Sequence, residues 1–189
     1  MPKRLWTSTT LIRRAIDVLA LPFATVGGVL LGIVLVLVNQ VATRLDAVIN
    51  PSAGFVSGST TAVIIGLSVR LFRQPAGIIT GEIQAFIAIA TASNPLAPAF
   101  IITNAVEPLA YSAALHYWPK NTWLSHFLTQ LSANFFADIV FMLAVIILLQ
   151  VPFLVALTAI ILTFVVNLIA STLITKPLTD AVERSGVAE

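Results

Sequence analysis

The sequence predicts an all-α membrane protein, with six transmembrane helices in one bundle and both termini in the cytoplasm. Three observations predict it. Of 189 residues 58% are hydrophobic and only 10% charged, with a mean hydropathy of +1.00, whereas soluble domains carry roughly 25% charged residues. Too few charges remain to cover an exterior facing water, and lipid makes an apolar exterior the correct one. The apolar residues also fall into six runs of about span length, each run closed by turn chemistry. Finally, lysine and arginine segregate to alternate connections, as the positive-inside rule requires of cytoplasmic loops.

The spans are read as one transmembrane domain, 1–189, with runs at about 15–38, 54–70, 75–93, 97–116, 124–149 and 151–175. Run one follows Arg13 and Arg14 but exceeds the apolar core of a signal peptide, and more runs follow it, so it reads as a span. It ends at Asn39-Gln40, and run two begins beyond Asn50-Pro51-Ser52. Arg73-Gln74-Pro75 separates runs two and three, and Ser93-Asn94-Pro95 separates three and four. Trp118-Pro119-Lys120-Asn121 precedes run five, and a tight Gln150-Val151-Pro152 joins five to six. Nine of the ten basic residues then share one side (Lys3, Arg4, Arg13, Arg14, Arg70, Arg73, Lys120, Lys176 and Arg184), leaving Arg44 on the other. Tyr117, Trp118 and Trp123 stand at an inner boundary, where amphipathic rings favour the headgroup layer. Leu5, Trp6, Leu11 and Ile12 suggest a short amphipathic segment on the inner surface.

Ionisable groups inside spans are costly and mark functional sites by default. Glu82, Glu107 and Asp138 are such groups, and counting from the outer helix ends at 1.5 Å per residue puts all three about 15–17 Å deep. Phe100, Asn104, Glu107 and Tyr111 share one face of span four, and Pro108 withholds the N–H that would bond the Asn104 carbonyl. Phe127, Asn134, Asp138 and Phe141 form a stripe on span five, and Thr163, Asn167 and Ser171 a milder one on span six. Together they predict a pocket of carboxylates, amides and rings without a basic residue, suited to a cationic or amine-bearing aromatic ligand. Two other readings stand beside it. The amides and hydroxyls also serve to hold helices together, and buried carboxylates also carry protons.

Span one carries Ala20, Ala24, Gly28 and Gly32 at four-residue spacing, a small-residue face that admits another helix, from this chain or a partner. Gly54, Ser57, Gly58, Ser59 and Thr60 could form an outer lid with Arg44–Asp46, or a plain loop. His116 and His126 flank an inner loop and read as interfacial residues. No catalytic constellation, phosphate-binding glycine loop or histidine metal pattern is present. The chain therefore reads as no enzyme, with no cofactor and no metal site. With no cysteine a disulfide framework is excluded, and the scattered basic residues argue against a nucleic-acid partner.

Arg73-Gln74-Pro75-Ala76-Gly77 through Gly81-Glu82-Ile83-Gln84-Ala85 resembles the Arg-Lys-Pro-Gly-Ala stretch, followed by an acidic residue, of the thiamine-related YkoE group. That group belongs to the S components, the substrate-binding membrane subunits of energy-coupling factor (ECF) vitamin transporters. Asn104-Ala105-Val106-Glu107 is similar to the Gly-Ala-Glu segment of the same group. Gln74 stands where the group has lysine and Ala76 where it has glycine. The resemblance implies a vitamin-capturing subunit in a prokaryotic plasma membrane, taking thiamine or a related pyrimidine precursor. It implies as partners a membrane scaffold subunit and two cytoplasmic ATPases. It also implies docking through Ala20, Ala24, Gly28 and Gly32, and a ligand site at Glu82, Asn104, Glu107, Tyr111, Asn134 and Asp138. The rivals are a self-sufficient proton-coupled carrier and a membrane assembly subunit that transports nothing.

Overall fold

The structure is a computed structural model that describes residues 8–49, 54–92, 94 and 96–186, with side chains described from Leu21 onward. The described residues form six α-helices: α1 (Ser8–Ile49), α2 (Phe55–Phe72), α3 (Ala76–Ala90), α4 (Ala97–Tyr117), α5 (Trp123–Leu149) and α6 (Phe153–Arg184). Four of them, α1, α2, α5 and α6, are long and apolar enough to cross a membrane. The apolar α3 is shorter, at 15 residues, or about 22 Å.

α2 is the axle of the bundle. It packs against every other helix, and all eight residues from Ala62 to Val69 are buried. Its small polar residues suit that place: Ser59, Ser68 and Gly66 let neighbours approach closely, as helix contacts in lipid require. The other five helices surround it in the order α1, α3, α4, α5, α6. Among the described residues α1 and α6 do not touch, so the ring is open on that side. Outward faces are apolar throughout, among them Val26, Leu30, Ile33 and Leu37 on α1 and Leu154, Leu162 and Ile169 on α6.

α1 departs from the sequence reading. It runs unbroken through Asn39-Gln40 to Ile49, because Asn39 does not end the helix but turns its amide to α2, donating to the Thr61 hydroxyl at 3.0 Å. An amide that finds a partner on a neighbouring helix has no reason to turn the chain. Leu5 and Trp6 lie outside the described residues, and Leu11 and Ile12 belong to the continuous α1, not to a separate segment.

The segment around residues 54–60 is helical from Phe55 onward, neither a lid nor a plain loop. Ser57, Gly58, Ser59 and Thr60 lie within α2. Asp46 of α1 caps that helix, accepting from the Val56 and Ser57 N–H groups at 2.7 and 2.9 Å and from the Ser57 hydroxyl at 2.6 Å. A carboxylate on the otherwise unbonded N–H groups of a first turn is a favourable cap. At the far end of the chain, α6 continues nine residues past the apolar run, where Lys176 pairs with Asp180 at 2.5 Å.

Candidate ligand site

The α4–α5 seam holds the two carboxylates that the bundle leaves without partners. Glu107 of α4 and Asp138 of α5 are near enough for the charge of one to act on the other. Glu107 is only 6% exposed. Glu107 Oε1 and Asp138 Oδ2 are both buried without a hydrogen-bond partner, and among the described residues neither carboxylate has an ion pair. A buried charge without partner costs several kcal/mol, so the arrangement calls for a counter-charge or a proton from outside the chain.

Asn104 stands one turn nearer the start of α4 and faces α3. Its amide donates to the Gly81 carbonyl at 2.7 Å and to Gln84 Oε1 at 2.6 Å. The approach depends on Gly81: a Cβ at that position would lie 2.7 Å from the Asn104 carbonyl oxygen. Pro108 leaves that oxygen without its helical donor, and the bare glycine backbone of α3 passes alongside it. On the same flank of the seam Phe100 and Phe141 stack, with centroids 6.1 Å apart and an interplanar angle of 25°. Phe141 stands one turn beyond Asp138 on α5, and Phe100 two turns before Glu107 on α4.

The remaining sequence candidates sort differently. Asn134 is buried one turn from Asp138, but its amide bonds back to the Gln130 carbonyl at 2.8 Å. Tyr111 is fully buried in a cluster with Val69, Leu115 and Ala133, and its hydroxyl accepts from Arg70 Nε at 3.2 Å. It belongs to the layer below the carboxylates, and its ring has no free face for a ligand. Glu82 does not join the cluster. At 100° per residue it stands on the face of α3 that bears exposed Phe86 and Ile89, away from the Gly77, Gly81 and Gln84 side that meets α4. Of the further stripe residues, Phe127 is exposed, Thr163 bonds its own helix, and Asn167 accepts from the Ser59 hydroxyl at 2.9 Å, fastening α6 to α2. His126 is buried in the first turn of α5, its Nε2 meeting Asn121 Oδ1 at 2.8 Å.

The small-residue stripe on α1 is occupied within the chain. Ala24, Gly28 and Gly32 are buried. A Cβ on Gly28 would lie 2.8 Å from the Ala76 carbonyl oxygen, and one on Gly32 would lie 2.8 Å from Ile83. Thr80 of α3 completes the joint, its hydroxyl bonding the Gly28 carbonyl at 3.1 Å and the Ser68 hydroxyl of α2 at 2.8 Å. The side chain of Ala20 lies outside the described residues.

Two amides central to the interior were not among the sequence candidates. Gln84 orients Asn104, and fully buried Gln130 donates to the Ala62 carbonyl at 3.2 Å and Thr175 at 3.1 Å, joining α5 to α2 and α6. Both stand inside apolar runs, and Gln130 shares its stripe with Asn134 and Asp138 at four-residue spacing. A search of the spans that included amides would have found them.

The fold is that of a polytopic helical membrane protein with a polar interior. Among solved structures, it is similar to the crystal structure of an S-component of an ECF transporter, with a TM-score of 0.63 over 89% of this chain and 86% of that one, at 15% sequence identity. The similarity is one of fold. No family model matches the sequence, and no curated protein matches it.

Proposed function

We propose that the chain is the substrate-capturing S subunit of an ECF-type vitamin importer, without catalytic activity of its own, in a prokaryotic plasma membrane with both termini in the cytoplasm. One observation carries the ligand assignment: the buried, unpartnered carboxyl oxygens of Glu107 and Asp138 beside the Phe100–Phe141 stack. The fold shared with an S-component supports the class. A cationic aromatic ligand supplies what the seam lacks, a positive charge for the carboxylates and a ring to lie against the stack. Thiamine or its aminopyrimidine precursor has both. Asn104, held by Gln84, and Asn134 are the neighbouring amides for polar groups of the ligand. Uptake then needs a scaffold subunit and two ATPases, since the chain has no nucleotide motif.

Calorimetry on detergent-purified protein with thiamine and hydroxymethylpyrimidine tests the reading. Micromolar binding to either supports it, and heat indistinguishable from buffer for both removes the substrate. The same unpaired carboxylates favour one rival, a self-sufficient proton-coupled carrier. Vesicles containing only this chain separate the two: accumulation driven by a pH gradient without ATP selects the carrier, and uptake that requires scaffold and ATPases selects the S subunit.

A further inference from the structure

At the opposite end of α4 from the Phe100 layer lies a cavity of about 190 Å³, lined by Val69, Arg73, Gln74, Ser112, Leu115 and His116. It is smaller than the roughly 300–1,000 Å³ of sites that enclose a whole drug-sized ligand. Its lining contains a guanidinium, an imidazole, an amide and a hydroxyl, and no carboxylate. Among the described residues Arg73 has neither an ion pair nor a side-chain hydrogen bond partner. It is held at φ 64 and ψ −168, a region nearly confined to glycine that non-glycine residues occupy chiefly at functional sites. The carboxylates that could neutralise this end are engaged elsewhere: Asp180 by Lys176 and Asn121, and Glu183 by Asn121. Gln74 is oriented by bonds to the Pro108 carbonyl and the Ser112 hydroxyl, both at 2.9 Å.

The surroundings of the cavity identify the occupant. Ser112 and His116 continue a stripe of α4 that begins with Ile102 and Leu109, which are 59% and 51% exposed. Spacings of seven, three and four residues keep the four on one face, so an apolar track about 10 Å long, from Ile102 to Leu109, leads toward a cationic pocket. Exposed Tyr117 and Trp118 follow at the end of the helix, as amphipathic rings do at the membrane–water boundary. A free anion has no use for the track, and an acyl chain has.

We infer that this cavity binds the phosphodiester headgroup of an anionic phospholipid, with Arg73 and His116 facing the phosphate, Ser112 donating to it, and one acyl chain lying along Leu109 and Ile102. The inference is independent of what the acidic seam captures.

The test is native mass spectrometry of the full chain released from nanodiscs made of equal phosphatidylglycerol and phosphatidylcholine. The wild type retains phosphatidylglycerol in preference to phosphatidylcholine. Arg73→Gln lowers that retention about fivefold, the factor for one cationic side chain at an anionic surface, and Arg73→Lys restores most of it. Lys120→Gln, a cation outside the cavity, leaves retention unchanged. Equal retention of the two lipids by the wild type overturns the assignment. A loss in Lys120→Gln as large as that in Arg73→Gln overturns it as well, since it shows diffuse surface charge. Displacement of the lipid by millimolar inorganic phosphate assigns the pocket to a free anion and likewise overturns it. Should Arg73→Gln fail to fold, His116→Gln with the same readout takes its place.

Discussion

The α1–α3 seam and the α4–α5 seam are built to opposite ends. In the first, Gly28 and Gly32 remove side chains so that backbones meet, and the exposed-by-nature Gly28 carbonyl is bonded by Thr80, which also bonds Ser68. Nothing there is left for a ligand to do. In the second, Glu107 and Asp138 bring charge into the interior and leave oxygens without partners. A bundle whose driving force is packing and not hydrophobic burial offsets such a defect with a seam as closely packed as α1–α3. The closed seam carries stability, and the open one is the proposed ligand site.

The sharpest way to break that contrast is Gly28→Leu. Its Cβ would meet the Ala76 carbonyl oxygen and Cα at 2.8 and 2.9 Å, backbone atoms that cannot turn aside. Overpacking of this kind costs about 3 kcal/mol, read as a fall in the thermal midpoint and a loss of monodisperse protein in detergent. An unchanged midpoint would show that the seam is not closed. Glu107→Gln should do the reverse. It removes an unpartnered buried carboxyl, so the ligand-free protein keeps or raises its midpoint, while affinity for a cationic ligand falls about thirtyfold, or about 2 kcal/mol. A variant that lost stability and kept affinity would turn the open seam into a structural one. Asp46→Asn keeps the shape of the α2 cap but loses its charge, and costs about 1 kcal/mol in the same melting assay. The smallest effect belongs to Glu82→Gln, which changes affinity less than about twofold, the ordinary reach of a substitution outside the site. A tenfold loss there would return Glu82 to the pocket.

Much of this was legible from residues alone. Six helices follow from apolar runs and their turn residues, and the Gln150-Val151-Pro152 connection is as short as it reads, with Gln150 in the left-handed region at φ 54. Depth counting brought Glu107 and Asp138 to one level, because depth depends only on rise per residue. Azimuth is what it lacked. Glu82 shares the level but stands on another side of its helix, which its neighbours Phe86 and Ile89 at i+4 and i+7 already signalled. Tyr111 shares a stripe with Glu107, yet which layer its hydroxyl serves depends on Arg70 from α2, a contact between residues 41 positions apart. The small-residue stripe announced a close helix neighbour, and only the tertiary arrangement shows that neighbour to be α3. Asn39 misled for a related reason: its amide finds Thr61 across 22 positions, and no local rule contains that partner.

The length of α1 has a mechanical side. It is clasped to α3 at Gly28 and Gly32, and its far reach ends on the first turn of α2, through Asp46. From clasp to cap is a rod about 24 Å long. A tilt of about 5° about the clasp moves the tip by about 2 Å on such a rod, enough to separate a carboxylate from donors it holds at 2.6 to 2.9 Å. The helix is thus a lever pivoted at its clasp on α3, and the arm that ends at Asp46 holds a latch on α2.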